Sequence, residues 1–366
     1  MAAEAITGYA AVAKRGSDPG EASMSRFMKW AACAALVTIG SNEAAFAQAA
    51  CDRECLRSTL DRYLEAVVAH DPSKAPLVVG FRQTENAINV APGRGVWKSV
   101  TALGKVQRRY VDPVSGQVGY YGTVIEGAEA AVVTVRVRVE NRAVTEAEWY
   151  IARANDPGLR GARAPGGPPA NLHNPEYLEQ HPPPQRVVPR NERVDRAALS
   201  RIVDSYFDAI TSHDRSVALV HEGCGRAENG SPAPGGAFLP PQPPRAGAQA
   251  PPPVAGAPGA QPGAASRDCV AGLENFNLSM VTARRTPLVD EEAQVVLGLG
   301  VFIRRPGSPT PRNVFSEWFV IDEAKIRTIY TSMFYPPPEL AVPNWPPFDG
   351  NWPLPATTVP DPATRP

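Results

Sequence analysis

The residues of this chain that could do chemistry come in duplicate. Tyr63, His70-Asp71 and Glu85-Asn86 recur as Tyr206, His213-Asp214 and Glu228-Asn229, each at an offset of 143 residues. Carboxylates near a histidine and a tyrosine are the parts of general acid–base catalysis. Histidine titrates nearest neutral pH, a desolvated carboxylate has its pKa raised toward the working range, and a tyrosine hydroxyl can donate to a developing oxyanion. The candidate acid–base residues are therefore His70, Glu85, Glu148, His213, Glu228 and Glu317. Glu146 and Glu148 lie two apart on a strand and share a face, and Glu317 sits among Phe315, Trp318 and Phe319, which favours desolvation.

Candidate substrate contacts are Tyr63, Tyr206, Arg109, Arg285, Trp149 and Trp318. Arg108-Arg109 and Arg284-Arg285 lie on strands, where alternation turns one of each pair inward to meet a carboxylate or phenolate. Each candidate has a plainer reading. His70 and His213 fall at helix C-termini, which the macrodipole favours; Asp71 and Asp214 suit caps of a following short helix; Tyr63 and Tyr206 suit a helix–sheet core. His221 occurs in one copy only.

Other chemistry has no footprint. There is no Gly-rich phosphate loop and no nucleophile elbow, and Cys51-x-x-x-Cys55 lacks accompanying histidines at metal-ligand spacing. No cofactor and no metal are expected. The 37 basic and 37 acidic residues cancel, leaving no electrostatic surface for nucleic acid or an anionic membrane.

The elements that must position these residues repeat as well. Leu56, Leu60, Leu64, Val67 and Val68 form one face of a helix over 54–69, and a second helix spans 197–212. Val133, Val135, Val137 and Val139 alternate with Thr134, Arg136, Arg138 and Glu140, a period of two that predicts a strand. Further strands are expected near 108–111, 116–125 and 144–152, and again near 276–286, 293–304, 313–321 and 325–331. Helices first and strands after predict an α+β fold with helices on one face of a curved antiparallel sheet. At about 150 residues per domain the chain divides as 50–155, a Pro/Gly-rich linker 156–192, and 193–335. A Gly/Pro/Ala insertion at 230–266 is expected to be disordered, and a Pro-rich tail occupies 336–366. Later in the repeat the register drifts: Gln117-Val118 matches Gln294-Val295 at 177, and Val144 matches Ile326 at 182.

Residues 1–49 read as an export signal with an upstream extension. Arg26 and Lys29 precede an apolar run over 30–39, and Ala45-Phe46-Ala47 or Ala47-Gln48-Ala49 offers a small-x-small cleavage site. The run is too short to span a bilayer, so no membrane insertion is expected after cleavage, and a periplasmic or extracellular location follows. Cleavage would remove Cys33 and leave Cys51, Cys55, Cys224 and Cys269. An even number in an exported chain favours disulfides; of three possible pairings, Cys51–Cys55 and Cys224–Cys269 are preferred, the second closing the base of the insertion.

The order of these motifs resembles the nuclear transport factor 2-like superfamily, in particular its SnoaL-like branch, which includes ketosteroid isomerase and polyketide cyclases. The resemblance rests on the opening helix with its Tyr, the His-Asp pair, the Glu-Asn pair, and the late strands with Thr145-Glu146-Ala147-Glu148-Trp149 and Phe315-Ser316-Glu317-Trp318. Arg226-Ala227-Glu228-Asn229-Gly230 and the stretch Arg284 to Glu292 look closest to exported bacterial and fungal members. It implies two tandem cone-shaped α+β barrels, each with an apolar interior. The expected function is a secreted, cofactor-independent acid–base enzyme, a lyase, isomerase or dehydratase acting on a small, partly apolar or aromatic molecule. The alternative is a non-catalytic binding or periplasmic structural protein, monomeric with an internal pseudo-dimer or a homo-oligomer. At most one copy is expected to carry the chemistry.

Overall fold

A computed structural model describes residues 51–337, apart from 160, 163, 166, 168–169 and 234–268. The expected export signal, most of the insertion and the tail beyond 337 lie outside the described residues. Chain order is α1 (Arg53–Val68), β1 (Leu77–Glu85), β2 (Ile88–Asn89), α2 (Val96–Ser99), β3 (Val100–Asp112), β4 (Gln117–Glu126), β5 (Glu129–Glu140) and β6 (Ala143–Ala152). After α3 (Pro175–Gln180) the order repeats as α4 (Arg196–Ser212), β7 (Val220–Glu228), β8 (Ser231–Pro232), β9 (Leu278–Asp290), β10 (Val295–Arg304), β11 (Arg312–Asp322) and β12 (Lys325–Phe334). The result is α+β with two six-stranded sheets, ordered β2-β1-β6-β5-β4-β3 and β8-β7-β12-β11-β10-β9.

Local chemistry sets both helices. The side chains of Asp52 and Asp195 accept from the N–H of Cys55 and Ala198, satisfying first-turn donors. Leu56, Leu60, Tyr63, Leu64 and Val67 are buried at helical spacing on α1. Asp71 and Asp214 cap the next short 3-10 turns through the N–H of Ser73 and Ser216, as expected.

The sheets are mixed, which corrects the expectation of purely antiparallel ones. β1 pairs parallel with β6, and β7 with β12, while the remaining pairs are antiparallel. A parallel pair needs a long crossover, and here the strands β2 to β5 supply it. The register also corrects one offset. Asp112 faces Gln117 and Asp290 faces Val295, so the β3–β4 hairpin repeats at 178, one residue from the Gln-Val match. Four extra residues between β10 and β11 then carry 178 to 182, since Glu85 faces Trp149 and Glu228 faces Thr331.

Each sheet is buried on both faces. One face takes its own helix: α1 covers Val111, Val135 and Trp149, and α4 covers Val289, Phe315 and Phe319. The other faces meet, joining Tyr110, Tyr121 and Tyr150 of the first sheet to Leu288, Trp318 and Tyr330 of the second. A Cβ on Gly119 would come within 2.4 Å of the Trp318 ring, so only glycine lets the sheets approach there.

The joint is reciprocal. Arg53 at the start of α1 grips Asp290 at the end of β9 at 2.7 and 3.0 Å, and Arg196 at the start of α4 grips Asp112 at the end of β3 at 2.6 and 2.7 Å. Each aspartate also accepts a backbone N–H from the opposite half, Val111 to Asp290 and Val289 to Asp112. The two halves form one compact unit. The segment 182–189 runs across the joint as an ordered strap, with carbonyls of Pro182, Pro183 and Pro184 accepting from Tyr330, Arg108 and Tyr110.

Cys51–Cys55 and Cys224–Cys269 are disulfides, the pairings favoured from sequence. They indicate an oxidising compartment. Among the described residues no helix is long and apolar enough to cross a membrane.

Candidate functional site

Alternation along β11 separates the candidate residues. Phe315, Glu317 and Phe319 face α4, whereas Val314, Trp318 and Val320 face the other sheet. Glu317 is wholly buried. Its Oε1 accepts from Arg226 Nη2 at 3.1 Å and Thr331 Oγ1 at 3.3 Å; its Oε2 is buried with no partner. Burial raises its pKa, opposed by Arg226 and reinforced by the nearby Glu228.

Glu228 completes the cluster. It accepts from Arg226 Nη1 at 3.1 Å and from the Tyr335 hydroxyl at 2.6 Å. Burial pushes Tyr206 and Tyr335 up, with Glu317 adding to the first and Glu228 to the second, so both stay protonated donors. Phe319 packs on Tyr206 with ring centroids 5.5 Å apart, and Arg304 lies over the Tyr335 ring.

The first half holds no carboxylate at the position of Glu317. By register, Arg226, Glu317 and Thr331 correspond to Gln83, Val135 and Trp149. The Tyr63 hydroxyl donates to Gln83 Oε1 at 2.7 Å, Trp97 Nε1 donates to the same oxygen at 2.8 Å, and Trp149 Nε1 donates to the Tyr63 oxygen at 2.8 Å. Two indoles fill the space. Glu85 stands aside, its Oε2 accepting the Val96 N–H and its Oε1 paired with Arg153 at 2.9 Å.

The remaining sequence candidates hold the scaffold. Glu148 lies at the joint between sheets, bound by Arg136 and by both terminal nitrogens of Arg285 at 2.6 and 2.9 Å. Burial would raise its pKa, but the two guanidiniums outweigh that and push it down to about 2. A carboxylate so held is a poor base at neutral pH. Glu146 shares Arg136 at 2.8 Å, so the two acids do face one side. Trp318 donates from Nε1 to Thr134 Oγ1 of the other half at 2.9 Å. Arg109 pairs with Asp61 of α1 at 2.5 Å. Arg109 and Arg285, counterparts in the sequence argument, thus face opposite sides of their sheets, because a bulge in β9 between Arg285 and Leu288 shifts the alternation there, while β3 runs in unbroken register from Gln107 to Asp112.

Both histidines tie down a helix end. His70 and His213 sit at φ 57° just past their helices, and Nδ1 of each donates to a carbonyl, Trp97 at 2.7 Å and Leu273 at 3.0 Å. His221 Nε2 likewise donates to Asp322 O at 2.8 Å. Asn86 and Asn229 each exchange two bonds with one backbone unit, Ile151 and Met333, pinning the hairpin turn to the last strand. Their duplication is scaffold.

Sequence reasoning missed Arg226, Thr331 and Tyr335. The signal available was Arg226 at the 143-residue offset from Gln83: a neutral residue in one copy and a cation in the other, two positions before the shared Glu. It also missed Gln83 and Trp97. Among the described residues no group of three or more His, Cys, Asp or Glu is placed to hold a metal ion.

No curated protein matches the chain. A family model described as a domain of unknown function, DUF8021, matches residues 192–333, which take in α4 and all but the last residue of β12, and with them Arg226, Glu228, Glu317 and Thr331.

Proposed function

We propose that the second half is a proton-transfer site of an exported, cofactor-independent lyase, isomerase or dehydratase, and that the first half is its scaffold. The observation that carries this reading is Glu317, fully buried, raised in pKa, with one oxygen unclaimed, beside Arg226 and Tyr206. Glu317 Oε2 takes a proton from carbon beside a carbonyl of a small, partly apolar or aromatic substrate. The electron pair moves to the carbonyl oxygen, which accepts a hydrogen bond from the Tyr206 hydroxyl. Glu317 then returns the proton elsewhere on the molecule, or the pair flows back from the oxygen to form a C=C bond and expel a β leaving group, which takes the proton from Glu317 as it departs. Substrate reaches Glu317 by displacing Tyr335, whose hydroxyl caps Glu228. The two disulfides and the resemblance to SnoaL-like proteins with cone-shaped interiors support export and this type of chemistry.

The test is a substrate screen with the native protein and Glu317→Gln. Turnover lost in the variant with its fold intact is expected; turnover retained by Glu317→Gln would sink the assignment. A second reading, a binding or structural protein built as an internal pseudo-dimer, is favoured by the reciprocal Arg53–Asp290 and Arg196–Asp112 clamps. It predicts that compounds captured from a metabolite extract are recovered unchanged by mass spectrometry.

A further inference from the structure

A cavity of about 280 Å³ opens at the joint between the two halves, away from Glu317. Four guanidinium groups line it, those of Arg53, Arg57, Arg109 and Arg186, against two carboxylates, Asp290 and Glu292. Both acids are already committed. Asp290 takes two bonds from Arg53 and one each from the N–H of Val111, Glu292 and Ala293, and Glu292 pairs with Arg53 Nε at 2.9 Å. Arg109 is neutralised by Asp61, and Arg186 donates to the carbonyls of Ala293 and Ile321 and lies 3.6 Å from Asp322.

Arg57 is left over. Its Nε is buried without a hydrogen-bond partner, and no carboxylate pairs with it among the described residues. It lies one helical turn after Arg53, on the same face of α1. Internal symmetry shows that the joint does not need it. The second half builds the same clamp from Arg196 and Asp112, yet has Ser200 at the position of Arg57, 143 residues on. A cation that the fold's own duplicate does without, with its Nε unpartnered at a cavity lined by four guanidinium groups, is a group awaiting an anion.

We propose that this cavity binds the oxyanion of a small molecule, a carboxylate or a phosphate, with Arg57 as the primary donor and Arg53 and Arg186 supplying field. This holds whether or not Glu317 is catalytic.

Thermal unfolding of the full chain is followed with succinate and, separately, with inorganic phosphate, in low-chloride buffer. The native protein should show a saturable rise in Tm with at least one probe, and the stronger of the two identifies the source of the oxyanion. Arg57→Ser, which copies the other half, should keep the ligand-free Tm and weaken binding on the order of tenfold or more. Arg57→Lys, which keeps charge but not the planar fork, should fall between them. No saturable shift with either probe up to about 10 mM, a weak-binding ceiling, overturns the proposal. So does an undiminished shift in Arg57→Ser.

Discussion

Glu148→Gln isolates the charge that holds the two sheets together. Glu148 is 3% and Arg136 1% exposed, and Arg285 is closed in with them. Glu146 shares Arg136 and also lies 3.8 Å from Arg82 and from Arg138, so it offers no spare charge to replace Glu148. The amide is isosteric but strips one charge and leaves net positive charge in the joint. Two routes give the size of the loss. Holding Glu148 at about 2 against an ordinary 4.5 corresponds to about 3 kcal/mol of folding free energy. Removing one partner of a buried pair costs about 3–5 kcal/mol in general. The sign follows from the depressed pKa: the contribution is complete above pH 4.5 and disappears as pH falls through about 2. Urea unfolding of native protein and variant, measured from pH 7 down to pH 2, should therefore show a gap of about 3 kcal/mol at neutral pH. The gap should close at the acid end, where a protonated Glu148 resembles the amide. A gap under about 1 kcal/mol at pH 7, or one that stays constant with pH, would refute the reasoning, since surface pairs are worth that little.

Other expectations follow from the same contacts. Arg196→Ala strips the buried Asp112 of its cation and Arg53→Ala does so to Asp290, so each should lose about 3–5 kcal/mol by urea titration, and by similar amounts because the clamps are reciprocal. Trp318→Ala should cost about 3–5 kcal/mol by the same assay, from the lost indole and its bond to Thr134. Cys224→Ser frees a closure of 45 residues, for which chain entropy gives a loss of about 4 kcal/mol, read from denaturation midpoints under non-reducing conditions. Glu317→Gln should raise Tm above neutral pH: a carboxylate with a raised pKa contributes stability below its ordinary pKa and loses it as pH rises, and the amide escapes that loss.

The two long helices and their caps were legible in the sequence because each is decided within a few residues, whereas counting cysteines left three pairings, of which the structure has the preferred one, and α3 lies in the stretch read as a linker. Asp71 beside Pro72 and Asp214 beside Arg215 place a carboxylate two residues before the Ser N–H that needs it. The faces of the strands were not legible. Alternation tells which residues share a side, and it correctly put Glu146 with Glu148. It cannot say which side is the interior when both are buried, and a bulge in β9 between Arg285 and Leu288 reverses its phase, separating Arg285 from Arg109. Glu148, Arg285 and Trp318 were accordingly read as site residues when they join the two sheets.

By itself, then, the sequence determined that one α+β plan is written twice, where its helices begin and end, and that its interior acids differ between copies. The sequence named both Glu148 and Glu317 as candidates, and the fold separated them. Glu148 and Glu317 are both buried strand carboxylates, and what separates them is the company brought from distant parts of the chain. Two arginines from opposite halves hold Glu148 ionised at the joint. One arginine shared with a second carboxylate leaves Glu317 with an unclaimed oxygen and a raised pKa. Long-range electrostatics of this kind depends on distances between residues far apart in sequence, and the fold sets those distances.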